Sequence, residues 1–199
     1  MKNIVPKDSR YIPLTQQRWC CVPTCIQMIM LRHRIPLVSA ELIGFHMGLV
    51  IPEDGKKYFW NSRSGPKPSA GYGTQAGRPQ FGPNAVFRKL KIPLKMSWSL
   101  IDKFKNFDDF RKYLEDISNS DNDILVCFDW SALFDPDNKN HWGHVCVLDK
   151  VDLKKDEVRI IDPEYDAPKW RIIKMKKLYD SMRYHGKEKS GGFWEFNKI

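Results

Sequence analysis

The stretch 16-QQRWCCVPTCIQMIM-30 holds three cysteines within six positions, with two glutamines just upstream and an apolar run just downstream. From Val22 onward, Cys25, Met28 and Ile29 recur at helical spacing. Pro23 suits the first turn of a helix, where a missing N–H costs nothing. Pro36 ends the run, and 32-RHR-34 lies in its last turn, where the helix dipole favours positive charge. The helix therefore starts at the cysteines. Cys21 sits immediately before it, so its sulfur would face the unpaired N–H groups of the first turn, an environment that favours a thiolate. Cys25 lies one turn on, inward with Met28 and Ile29, and reads as core. Cys20 could point either way.

Working outward, 38-VSAELIGFHMGL-49 predicts a short helix capped by Ser39. Residues 52–83 are rich in Gly and Pro and carry Tyr58, Phe59, Trp60, Tyr72 and Phe81. A loop this long inside a compact domain is more often functional than idle, and this one is the expected specificity element. Helices are expected over 84–92 and over 107–117. After the polar break 118-SNSDND-123 the period changes to that of strands, at 124–130, 143–151 and 157–163. The segment 152-DLKKD-156 reads as the hairpin turn that pairs the last two antiparallel. Residues 169–182 hold a strand start or a helix, and 192–197 close as a strand. No internal repeat is present. Helices followed by antiparallel strands define an α+β class, an N-terminal helical part packed on an antiparallel sheet. The expectation is one domain over 1–199 with an insertion around 52–83.

Hydrophobic residues make up 42% of the chain and charged ones 29%, as in ordinary globular proteins. No window is apolar enough to span a membrane. The N-terminus lacks the apolar core of a cleaved signal, so the expected location is the cytoplasm, or outside by a route without such a signal. Five cysteines, two of them adjacent, make a poor disulfide framework, and reduced thiols are expected. The net charge of +9 is dispersed among acids, as in 150-KVDLKKDEVR-159. Without a basic block or an RNP-like motif, nucleic acid is not the expected main partner, although the surplus would suit an acidic substrate.

A thiolate nucleophile needs a base, a group that orients the base, and donors for an oxyanion. His144 opens one strand and Asp162 ends its antiparallel partner, which sets the two side by side. Gln16 or Gln17 could give a side-chain amide to the oxyanion, together with the Cys21 backbone N–H. His141 competes with His144, but Gly143 precedes His144 and the apolar strand follows it directly. A zinc site from Cys21, Cys25, His141 and His144 is chemically possible. It departs from the usual ligand spacing and leaves the helix start and Asp162 unexplained, so neither metal nor cofactor is expected. Cys127 and Cys146, in mid-strand, read as core. His33, His46 and His185 read as surface or helix-end residues without chemistry. Trp130 and Trp142 would wall the site, and Trp142, Trp19 and Tyr72 are candidate substrate contacts.

Gln16, Cys21, Pro23, Cys25 and Met28 together resemble the start of the papain-like cysteine peptidases related to bacteriocin-processing, double-glycine-leader peptidase domains. That family has a Gln a few residues upstream of Cys-Gly-Pro-x-Cys and an apolar helix. The later 141-HWGHVCVLDKVDLKKDEVRIIDP-163 resembles the same family's Gly-His strand, turn and Asp-Pro strand. The resemblance implies a papain-like fold with Cys21 as nucleophile, His144 as base, Asp162 as its orienter and Gln16 as oxyanion donor. Gln17, Cys20 and His141 stand as alternates. Val22 replaces the family's glycine, and Cys20 stands where an aspartate is common. The implied activity is hydrolysis of a peptide or isopeptide bond in a peptide or protein substrate. Acyl transfer through the same thioester, or a silent binding module of the same fold, stays open.

Overall fold

A computed structural model of the chain describes residues 6–60, 63–69 and 71–199. Its centre is a six-stranded antiparallel sheet in the order β3-β8-β4-β5-β6-β7. The strands are β3 Leu94–Leu100, β4 Asp123–Asp129, β5 Gly143–Asp152, β6 Glu157–Ile161, β7 Trp170–Lys174 and β8 Gly192–Lys198. A two-stranded parallel pair, β1 Val50–Ile51 and β2 Arg63–Ser64, lies in the glycine-rich region. In the central β4, DILVCFD, every residue is buried, as covering on both faces requires. The edge strand β3 alternates buried and open positions along much of its length. Strand β3 was not anticipated: its LKMSWSL pattern is mixed, and its partner is the C-terminal β8, almost a hundred residues away in sequence.

Both faces of the sheet carry helices. On one face Cys25, Ile26 and Ile29 of α1 (Cys21–Arg32) pack with Leu125, Val145, Val147 and Trp194. Helices α2 (Ala40–His46) and α3 (Pro83–Leu90) lie alongside α1 and β3, with Ser39 accepting from Leu42 N as the cap of α2. On the other face Phe110 and Leu114 of α4 (Phe107–Ser118) and Leu178 and Met182 of α6 (Met175–His185) cover Val126, Cys146, Leu148 and Phe193. The α+β class holds, and the helical part is on two sides, giving three layers. The ambiguous segment 169–182 divides into β7 and α6. A five-residue helix, α5 (Trp130–Phe134), is too short for periodicity to show.

Helix α1 begins one residue earlier than its pattern suggested, with Cys21 as its first residue and Cys20 as cap. It is fastened at both ends. The Cys25 thiol donates to Val145 O of β5 at 3.4 Å. At the other end the buried Asp123 of β4 receives Arg32 Nη1 at 2.5 Å, Tyr11 Oη at 2.7 Å and His33 Nε2 at 2.6 Å. His33 is therefore a clamp residue rather than an idle helix end.

The 52–83 region, of which 61–62 and 70 lie outside the described residues, is partly folded. It contains 3-10 turns at Glu53–Tyr58 and Pro79–Phe81 as well as β2. The ring of Trp19 packs on Phe59 at 6.2 Å and lies so close to Gly55 that a Cβ there would stand 2.6 Å from it. Trp19 itself takes a left-handed φ of 64°, an uncommon conformation for a bulky residue. The aromatic loop thus holds the turn that leads into Cys20 and Cys21. Among the described residues no helix is long and apolar enough to cross a membrane.

Removing the Asp123 carboxylate leaves the largely buried Arg32 and the Tyr11 hydroxyl without their partner. Asp123→Ala is expected to cost about 3–5 kcal/mol in urea unfolding.

Candidate active site

The cysteine helix and the histidine strand meet because of the Cys25–Val145 contact. Side chains four apart on a helix share a face, so fixing Cys25 against Val145 brings Cys21 level with the start of β5. Cys21 and His144 stand there on the walls of one opening, a cavity of about 710 Å³. No acceptor among the described residues takes the Cys21 backbone N–H, one of the free donors of the first helical turn.

Strand β6 ends beside the start of β5, and Asp162 follows directly after it. Its Oδ1 accepts His144 Nε2 at 2.8 Å and Glu164 N at 3.0 Å. Its Oδ2 faces Arg171 Nε of β7 at 3.0 Å, too oblique for an aligned hydrogen bond. The Arg171 guanidinium lies over the Phe134 ring, 4.2 Å from its centre. Cys146, two residues along β5 from His144, projects on the same side, and donors of His144, Cys146 and Asp162 lie within 4.8 Å of one another. Cys146 is thus buried as expected, but beside the polar pair. These three donors could take a cation, yet His144 and Asp162 spend their bond on each other.

Burial works against both charges and is overcome in each case. For Asp162, burial would raise the carboxyl, but the His144 hydrogen bond and charge, the Glu164 N–H and Arg171 hold it below its ordinary value. For His144, burial would lower the imidazole, but Cys146, Asp162 and Cys21 hold it well above its ordinary value. Burial and the Asp162 charge push Cys146 up to about 12, so it is a neutral thiol near neutrality. Asp162 is then the anion that sustains the imidazolium.

Gln16 and Gln17 separate clearly. Gln16 N donates to Pro163 O at 2.8 Å, and its side chain lines the cavity with Nε2 donating to Glu164 Oε2. The Gln17 amide donates to Tyr58 O and is not among the cavity walls. Cys20 is buried with Leu49, Ile51 and Phe59, away from the cavity walls, and burial pushes its thiol up to about 12. His141 lines the cavity but pairs with Asp129 at 2.9 Å and stacks on Tyr184 at 4.5 Å. Trp19, Tyr72 and Trp142 all line the cavity, and Trp142 stacks on Trp130 at 4.9 Å.

Sequence reasoning missed five neighbours, Cys146 among them. Arg171 and Glu164 reach the site from β7 and from the turn after β6. Asp129 ends β4. His185, read as a surface or helix-end residue, is the last residue of α6 but is buried and lines the cavity. Its ring explains Gly143: a Cβ there would lie 2.5 Å from His185 Cε1. Only Cys146 had a usable signal, its two-residue offset from His144.

An α+β cysteine-peptidase-like fold, with a buried His–Asp pair opening on a cavity beside a helix-start cysteine, is the class these features define. No protein-family model matches the chain, and no curated protein matches it in sequence. Among solved structures it is similar to one described as a "putative C39-like peptidase from Bacillus anthracis". The TM-score is 0.52 at 16% identity, over 94% of this chain and 95% of that one. At that identity the likeness speaks for a C39-like peptidase fold.

The two shifts have opposite pH signatures. The depressed Asp162 contributes stability above the ordinary carboxylate range, lost as pH falls through its folded value. The raised His144 contributes stability below the ordinary imidazole range, lost as pH rises through its folded value. NMR titration should find His144 titrating above the ordinary imidazole range and His185, pushed down to about 4 by burial, below it. In Asp162→Asn, the His144 ring loses its carboxylate partner, and its titration should move down from the wild-type value.

Proposed function

We propose that the chain is a thiol hydrolase of peptide or isopeptide bonds, with Cys21 as nucleophile, His144 as base and Asp162 as its orienter. The observation that carries this reading is the 2.8 Å His144–Asp162 bond at the wall of a cavity that Cys21 also lines. Asp162 occupies Nε2, which leaves Nδ1 of the ring for the thiol. The thiolate attacks the scissile carbonyl, and the oxyanion takes the Cys21 N–H and the Gln16 amide. The imidazolium donates its proton to the leaving amine. Neutral His144 then takes a proton from water, whose attack releases the acid from the thioester.

Trp19, Tyr72, Trp130, Trp142 and Tyr165 give the cavity aromatic walls suited to peptide side chains. Its charged rim is mixed, Arg18, Lys67 and Lys189 against Asp135, Glu164 and Asp166. The local field therefore does not select an acidic peptide, although the whole chain is basic. A peptide or protein is the proposed partner, without a membrane or nucleic-acid role.

Mass-spectrometric profiling of cleavage in a mixed peptide library tests the proposal. The wild-type protein should cleave and Cys21→Ala should not. His144→Ala should lose about 10²–10⁴-fold in kcat, and Gln16→Ala about 10²–10³-fold. Cleavage that survives in Cys21→Ala would overturn the assignment.

A further inference from the structure

The three residues Asp162, Pro163 and Glu164 touch both halves of the proposed machinery. Asp162 holds His144 through Oδ1. Pro163 O takes the Gln16 backbone N–H, and Glu164 Oε2 takes Gln16 Nε2. The segment is itself held in place. Asp162 N donates to Lys169 O at 2.8 Å, Glu164 N donates back to Asp162 Oδ1, and Lys169 Nζ reaches Glu164 O at 2.7 Å. Tyr165 N donates to Glu164 Oε1 at 3.0 Å, which fixes the carboxylate.

A glutamine amide is ambiguous as an oxyanion donor. Rotated by half a turn it presents an acceptor, which would repel a developing negative oxygen. Gln16 is buried, and its Oε1 has no hydrogen-bond partner, so nothing on the oxygen side selects the orientation. An ionised carboxylate only accepts, and Glu164 can therefore face Nε2 but not Oε1. The amide has two N–H groups, so engaging one with Glu164 leaves the second for a reacting oxygen. We infer that Glu164 is a positioning residue that fixes the Gln16 amide with its N–H groups toward the reacting carbonyl, as Asp162 fixes the ring of His144. The inference rests on the thiol-hydrolase reading and adds that one strand end orients both the base and the oxyanion donor.

The test is the burst of p-nitrophenolate released when p-nitrophenyl acetate acylates Cys21, measured for single and double variants. In this step the sulfur–carbon bond forms and the carbon–oxygen bond to p-nitrophenolate breaks. Glu164→Ala should slow acylation about tenfold or more, bounded by the loss in Gln16→Ala, and mainly in the rate constant rather than in KM. Glu164→Gln, whose amide oxygen still accepts, should recover most of that rate. In a Gln16→Ala background, Glu164→Ala should add no further loss. Should Glu164→Ala fail to fold by circular dichroism, Glu164→Lys, which sets a donor against the amide, should show the same Gln16-dependent loss. Wild-type rates in both loss variants, or a loss that persists in full without Gln16, would overturn the inference. A wild-type burst no larger than that of Cys21→Ala would instead remove the underlying thiol-hydrolase reading, and the inference with it.

Discussion

The arrangement depends on how α1 is laid across the sheet. Eight of its twelve residues are buried, so the helix has almost no free face and cannot slide or roll without opening the core. Cys25 fixes it to β5, and Arg32 with His33 fixes it to Asp123 of β4. With these two fastenings in place the start of the helix has one place to be, level with Gly143 and His144. A reactive geometry must be held to a fraction of an ångström, and a buried helix on a sheet does that better than a loop. The left-handed turn at Trp19, packed on Gly55 and Phe59, then sets how the chain enters the helix.

The polar pair is arranged differently. Buried charges are costly unless each is satisfied several times over. Asp162 accepts from His144 and from Glu164 N and faces Arg171, so its charge is spread over three partners. That is why burial, the largest influence on both residues, fails to neutralise either of them. Burial acts unopposed on the Cys20 thiol, and on His185 and the Cys146 thiol it outweighs what opposes it, so there it prevails. Environments that push neighbouring titratable groups apart in this way are characteristic of sites built for proton transfer.

Much of this was legible in the chain because the relevant signals are local. The proline at the third position of α1, the inward Cys25 and the change of period after residue 123 each depend on a few neighbouring residues. The juxtaposition of His144 and Asp162 follows from two strands joined by a tight turn, since the start of one must lie beside the end of the other. What was not legible depends on distant partners. Strand β3 pairs with the last strand of the chain. Arg171 and His185 arrive from β7 and α6, and His33 gains its role only from Asp123. Gln16 and Gln17, adjacent and identical, were separated by contacts to residues 164 and 58, which no spacing rule connects to them.

The central claim is that one thiol of five is set apart by its place at the helix start and beside His144. The direct measurement is brief labelling of the native protein with iodoacetamide at mildly acidic pH, followed by mass mapping of all five cysteines. The account predicts modification confined to Cys21, and loss of that selectivity in His144→Ala. Labelling of Cys20 or Cys25 in place of Cys21, or equal labelling of Cys21 with and without His144, would contradict it.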